Sequence, residues 1–265
     1  PSCTSELMTG LAKLAKEYDV PVQSHLSENH GEIDWVASLH PESSNYTDVY
    51  YEHHLMGTVP TVMAHCIHLS DVEMDRMAET QTMVSHCPYS NVNLSSGIAP
   101  IRKLIERNIP IGLGSDISGG HIVSMAKVLT EAIGLSKMKW AEVDPNYAPL
   151  TLSEAFYMAT KGGGQFFGHV GSFEKGYELD ALIIDDTSLF DPNERSLEER
   201  LERWLYVGDD RHIIERYVAG RVVPSPKGKV ISYRKNTDIF KAASLYTLQT
   251  SCFSVLLLEP GRGVR

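Results

Sequence analysis

Thr61-Val-Met-Ala-His65, followed at Ser70-Asp-Val-Glu73 by a helix-start signal, is the stretch on which the reading of the fold turns. Its first five residues form a short apolar run closed by a histidine, the pattern of a strand buried on both faces. Ser70 with Glu73 three residues later is a capping box, and it opens a helix predicted to end near residue 79. Strand then helix is one βα unit. The same order recurs upstream, with a helix over 5–18, the apolar run Val20-Pro-Val-Gln-Ser-His25 and a helix over 31–39, then a loop over 41–58 carrying some irregular helix. Downstream, Gln81-Thr-Met-Val-Ser-His86 leads through a Pro- and Asn/Ser-rich loop into a helix over 100–107. Ile109-Pro-Ile-Gly-Leu-Gly-Ser-Asp116 then leads through Gly119-Gly120 into a helix over 122–139.

Short apolar strands alternating with amphipathic helices imply parallel strands joined by right-handed crossovers, so the class is α/β. A polar, chemically capable residue closes each strand: His25, His65, His86 and Asp116. In a β/α barrel that end is the catalytic face. Four units are half of an eight-stranded barrel, and such a half would leave two parallel edges open. Beyond residue 139 the pattern changes to a helix over 152–160, a Gly162-Gly-Gly164 break, strands over 175–184 and 216–223, and a helix over 196–206. The expected organisation is a barrel part over 1–165 and a barrel end with a small β layer over 166–230. The tail over 231–265 carries no assignable role.

The chain has 265 residues, 24 Lys+Arg against 34 Asp+Glu, and a formal charge of −10, with 42% hydrophobic residues, enough for a sizeable core. An acidic balance argues against a polyanion-binding surface, so no nucleic acid polymer is expected as partner. The start at Pro1-Ser2-Cys3 has no initiator Met and no signal-like region, and no run reaches the roughly 18 apolar residues of a membrane span. A soluble, cytoplasmic chain with no membrane partner, and a fragment of a longer one, is the expectation. Cys3, Cys66, Cys87 and Cys252 form no Cys-x-x-Cys pair, which leaves reduced, mostly buried thiols.

In His25-Leu-Ser-Glu28 a strand-terminal imidazole precedes a carboxylate by three residues, a pairing suited to a metal ligand beside a proton shuttle. A backbone-bonded His and a helix-capping Glu are the competing reading of this motif alone. His65 and Asp116 close two further strands, so nitrogen and oxygen donors converge on one sheet end, and Gly112 and Gly114 allow close approach there. His86-Cys-Pro-Tyr-Ser-Asn91 offers hydrogen bonds suited to ordering the loops or contacting a planar polar substrate, with a structural His and an Asx turn the commoner outcome. His30, His53 and His54 are expected to be solvated, and Met74, Met77 and Met83 to fill the core.

Taken together, Val20-Pro-Val-Gln-Ser-His-Leu-Ser-Glu-Asn29, Val62-Met-Ala-His-Cys66, Ser85-His-Cys-Pro-Tyr-Ser-Asn91, Leu94-Ser-Ser-Gly97 and Gly112-Leu-Gly-Ser-Asp116 resemble the amidohydrolase superfamily, and within it the guanine deaminases. Ala159-Thr-Lys-Gly-Gly-Gly164, Gly171-Ser-Phe-Glu-Lys-Gly176 and Gly208-Asp-Asp-Arg211 extend the resemblance to about residue 223. It implies a metal-dependent (β/α)8 TIM-barrel hydrolase fold, of which this chain holds strands five to eight and part of a small β-sandwich domain. By the same resemblance His25 and Asp116 are zinc ligands, one zinc per site, and Glu28 shuttles a proton from water to a ring nitrogen. Asp116 is also a proton acceptor, His65 orients the attacking water, and His25, Glu28 and Asp116 contact the purine. The implied reaction is hydrolytic deamination of guanine to xanthine and ammonia, with guanine and water as partners.

The family's two further zinc ligands form a His-x-His motif, and no His-x-His occurs in this sequence. The Arg-Phe pair that the family places ahead of the region matching Ser2 is also absent. The chain is therefore expected to be the C-terminal portion of such an enzyme, completed as a homodimer or by association that closes the barrel. Alternatives are a related deaminase or chlorohydrolase acting on thiomethyladenosine, cytosine or a triazine, and a noncatalytic barrel assembly protein. Joint retention of His25, Glu28, His65 and Asp116 argues against the last.

Overall fold

The computed structural model describes residues 1–224 and 254–257. Helix α1 (Ser5–Tyr18) starts where the Thr4 hydroxyl accepts from Leu7 N, and it ends at Asp19, whose φ of 49° turns the chain into strand β1 (Val22–Leu26). Helix α2 (His30–Leu39) is capped by Asn29 and helix α3 (Tyr46–Glu52) by Asn45, each side chain accepting from the backbone N–H three residues on. Strand β2 (Thr61–His65) is buried along its whole length, as a strand covered on both faces must be. Helix α4 (Asp71–Glu79) opens on the expected capping box.

Strand β3 (Met83–His86) is followed by helix α5 (Pro88–Asn93), in a segment expected to be loop. Pro88 sits at the first helical position, where its missing N–H is not needed, and this is why a Pro- and Asn/Ser-rich run is helical here. Helix α6 (Ile101–Glu106), strand β4 (Ile111–Leu113), helix α7 (Met125–Glu142) and helix α8 (Leu152–Tyr157) complete the first layer. The four strands form one parallel sheet in the order β1-β2-β3-β4.

Gly162 to Gly164 do not break the helix that precedes them. The chain continues through a wide turn, Met158–Gly162, with Gly163 and Gly164 still in right-handed helical geometry. Glycine serves close approach here: a Cβ on Gly112 would lie 3.0 Å from Gly163 Cα, and one on Gly164 would strike the Val170 carbonyl. This turn packs on the face of β4 at Gly112, and β1 and β4 are the two end strands of the sheet.

The second sheet has the order β7-β6-β5-β8, from strands β5 (Ala181–Ile184), β6 (Ile213–Val218), β7 (Arg221–Val222) and β8 (Ser254–Leu257), with helix α9 (Leu197–Val207) between β5 and β6. The expected strand over 175–184 is shorter, and the one over 216–223 is a hairpin. Ala219 and Gly220, at φ 48° and 72°, form its two-residue turn, the positive-φ geometry that suits right-twisted strands. Apart from β8, the expected tail over 231–265 lies outside the described residues, as does Cys252. Cys66 and Cys87 are buried and Cys3 half-buried, none in a disulfide.

One apolar cluster joins both layers: Met63, Met74, Met77, Val84, Leu104 and Leu129 with Ile184, Trp204 and Leu205. Within it, buried Glu73 links α3 to α4, its Oε2 accepting from Ser70 N at 2.9 Å and Ser70 Oγ at 2.8 Å and its Oε1 from Thr47 Oγ1 at 3.1 Å. Glu73→Ala removes a cap and strands buried donors, and is expected to cost about 2–3 kcal/mol. Scanning calorimetry should show Tm lower by about 5–10 °C, and a drop of less than about 2 °C would remove Glu73 from this role. No described helix is long and apolar enough to cross a membrane.

Candidate active site

The parallel strands deliver His25, His65 and His86 to the C-terminal end of one sheet, with Asp116 three residues past β4. The backbone bends sharply just there: Ser27, His65, Cys66 and Asp116 all have φ between 43° and 70°. Such geometry is costly for residues with a Cβ and persists where surrounding contacts hold it. Cys66 N donates to Leu26 O at 2.9 Å, which ties the turn after β2 to the end of β1.

Glu28 and His65 meet in this turn region. The Glu28 Oε2 atom lies 3.6 Å from His65 Nε2, with Glu28 partly exposed and His65 buried. Ser96 Oγ donates to Glu28 Oε1 at 3.0 Å, and Glu28 N donates to Glu32 Oε2 at 2.9 Å. Glu32 in turn accepts from Tyr46 OH at 2.9 Å, so the loop holding Glu28 is anchored to α2 and α3. On the far side of His65, Nδ1 is 3.0 Å from Asn91 Oδ1, and Asn91 is buried in α5. The His25 ring stacks on that of His65 with centroids 5.4 Å apart and planes 19° from parallel. His25 itself is exposed, and its carbonyl accepts from Tyr50 OH at 3.0 Å.

Asp116 belongs to the neighbouring turn, closed by a Gly120 N bond to Asp116 O at 2.6 Å. Gly119 is required there, because a Cβ would lie 2.5 Å from Asp116 Oδ2 and 2.7 Å from Ser90 Oγ. That places the Asp116 carboxylate and the Ser90 hydroxyl beside one another. His86 is buried beneath, its Nδ1 without a hydrogen-bond partner, and burial with His65 nearby pushes its pKa down to about 3. It is a neutral imidazole under the sheet end. Burial also pushes the Cys87 thiol up to about 12, so it is a thiol and not a nucleophile at neutral pH.

A cavity of about 600 Å³ runs along the free flank of β1, with Ser24, His25, Glu28 and Tyr50 on its wall. His65 and Asp116 do not line it. Among the described residues no group of three His, Cys, Asp or Glu side chains is placed to hold a metal. The structure thus brings Glu28, His65 and His25 together, while a convergence of three metal donors, expected from the strand ends, is not present among them. Asn91 and Ser96 carry more of the geometry than their sequence suggested, because a helix start at Pro88 was needed to see where Asn91 points. His68, through Nε2 to Ser96 O at 2.8 Å, anchors the Ser96 backbone and contacts the His30 ring at 4.0 Å. His30 and His54 are exposed as expected, and His53 is half-buried with Nδ1 on Val49 O.

A carboxylate and an imidazole paired at the C-terminal end of a parallel sheet make a site able to take a proton from water and pass it on, as in hydrolytic α/β enzymes. Residues 1–223 match the Amidohydrolase family model, and the chain belongs to that family. It is 44% identical over 230 residues to the guanine deaminase of Dictyostelium discoideum, covering 84% of this chain and 51% of the relative. The crystal structure of guanine deaminase from C. acetobutylicum with bound guanine superposes with a TM-score of 0.82 at 53% identity, covering 84% of this chain and 53% of that one. An adenosine deaminase from Xanthomonas campestris with bound zinc shares the fold at TM-score 0.72 and 20% identity, covering 93% of this chain and 54% of that one. The chain spans about half the length of the curated relatives it matches.

Proposed function

We propose that this chain carries the proton-transfer half of a guanine deaminase site, which hydrolyses guanine with water to xanthine and ammonia. The observation that carries the reading is the Glu28 carboxylate set between His65 Nε2 and Ser96 Oγ at the ends of parallel strands, in a chain this similar to guanine deaminases. Glu28 takes a proton from the attacking water and delivers it to a purine ring nitrogen, and His65 orients that water through Nε2. Asp116 accepts the second proton and passes it to the departing amino group, and His25, Glu28 and Asp116 contact the purine. Loss of the amino group as ammonia then leaves the carbonyl of xanthine.

His25 and Asp116 fit zinc in kind, an imidazole nitrogen and a carboxylate oxygen, but two donors fall short of the three protein ligands of a catalytic zinc. They would hold the ion jointly with ligands from outside the described residues. When bound, zinc supplies a Lewis acid that lowers the pKa of water. The same reading makes β1 to β4 strands five to eight of a (β/α)8 barrel, over residues 1–165, and the second sheet part of a β-sandwich domain over 166–230. The uncovered flank of β1 is where a homodimer or a barrel-completing association would form, in a cytoplasmic enzyme.

The test is ammonia release from guanine by the purified 265-residue chain with zinc supplied, with metal content measured on the same sample and adenine and cytosine run as competing substrates. Ammonia from guanine in preference to the others, with about one zinc per site, supports the reading. Preferential turnover of another heterocycle would overturn the substrate assignment.

A further inference from the structure

We propose that Asn91 is a positioning residue that fixes the proton of His65 on Nδ1, so that Nε2 is the atom presented to Glu28. The proposal rests on the functional reading above for its catalytic consequence, but not for its geometry. His65 and Asn91 are 1% and 0% exposed, so bulk water does not compete for the contact between them. Their 3.0 Å contact is between Nδ1 and the amide oxygen, which can only accept. Asn91 cannot easily withdraw: it sits in α5 behind Pro88, its N–H donates to Cys87 O at 3.0 Å, and α5 packs on α7.

The choice of a neutral acceptor has a chemical reason. With Nδ1–H donating to an amide oxygen, Nε2 is the unprotonated nitrogen of the neutral ring, able to accept from the water that His65 orients. With the amide reversed, NH2 would face Nδ1 and force the proton of neutral His65 to Nε2, and protonation would then set two donors against one another. A carboxylate in place of Asn91 would hold the ring as imidazolium, the arrangement of a charged relay. The amide orients His65 without biasing it toward charge.

Ser96 completes the arrangement from the opposite end. Its hydroxyl occupies Glu28 Oε1, which leaves Oε2 as the oxygen turned to His65 Nε2. The four side chains therefore form one directed line, Asn91 to His65 to Glu28 to Ser96, with its open gap of 3.6 Å at the centre. That gap is wider than a direct hydrogen bond, wide enough for the pair to act on a third group.

The deciding measurement is the 15N NMR spectrum of histidine-labelled 265-residue chain, which distinguishes the protonated from the unprotonated ring nitrogen. Expected is a neutral ring with its proton on Nδ1 in the wild type, a ring protonated on both nitrogens in Asn91→Asp, and a lost or mixed Nδ1 preference in Asn91→Ala. A wild-type ring protonated on Nε2, or His65 signals unchanged in a folded Asn91→Ala protein, overturns the proposal. If Asn91→Ala fails to fold, the wild-type tautomer alone decides. In guanine turnover Asn91→Ala should lower kcat by about 10- to 100-fold and move KM by less than about threefold, the split expected of a group that touches only another catalytic side chain. Absence of guanine turnover in the wild type would count against the substrate reading and leave the tautomer result to judge Asn91.

Discussion

Glu28→Gln is expected to lower guanine turnover by about 10²- to 10⁴-fold, the range for loss of a positioned general acid–base. The amide keeps the shape of the carboxylate and can still accept from Ser96 Oγ, so the loop between β1 and α2 should hold its place. It also leaves the Glu28 N bond to Glu32 untouched. What glutamine cannot do is take a proton from water and give it to a ring nitrogen. Because Glu28 is not among the residues assigned to zinc, metal content should stay at the wild-type value. The check is steady-state ammonia release with metal analysis on the same preparation. Activity near wild type would refute the proton-shuttle role, and loss of metal together with activity would move Glu28 into the ligand set.

Much of the first layer was legible because each strand is a short apolar run ended by one polar residue, and each helix carries its own start signal. Ser70 and Glu73 are the clearest case: the capping box read from two letters is present with both bonds formed. The departures come from places where tertiary contact overrules local chemistry. Gly162 to Gly164 read as a stop by propensity, yet glycine is there to let a helical turn approach β4. In the same way Pro88 reads as loop until its first-turn position is recognised, and with that helix hidden the bond from Asn91 to His65 is hidden too.

At the site, residue types and order were readable but mutual distance was not. Sequence placed His25, Glu28, His65 and Asp116 at strand ends, and a parallel sheet necessarily gathers strand ends on one side. Which ends touch depends on turn geometry. The positive φ of Ser27 and His65 brings Glu28 and His65 to 3.6 Å, whereas Asp116, in the turn closed by Gly120, lies near Ser90 without a bond to it.

His86 is expected to make the fold acid-labile. Its pKa is pushed from 6.5 down to about 3, first by burial and then by the neighbouring His65, so it is neutral in the folded chain wherever the unfolded chain would protonate it. The unfolded state therefore binds more protons between those values, and stability falls as pH drops from about 6.5 toward about 3. Above that window the group has no effect, and below it both states are charged. At 2% exposure the ring has little solvent to screen it. Lowering the pH from about 6.5 to about 5 should remove roughly 1.5 kcal/mol on this account. His68, also lowered by burial, works in the same direction. Urea unfolding near pH 7.5, 6 and 5 measures the slope, and His86→Gln, which cannot protonate, should flatten it while starting from a lower value at neutral pH. A wild-type curve already flat between about pH 6.5 and 5, or a His86→Gln curve that tracks it, would show that the buried ring finds a partner for its proton on acidification.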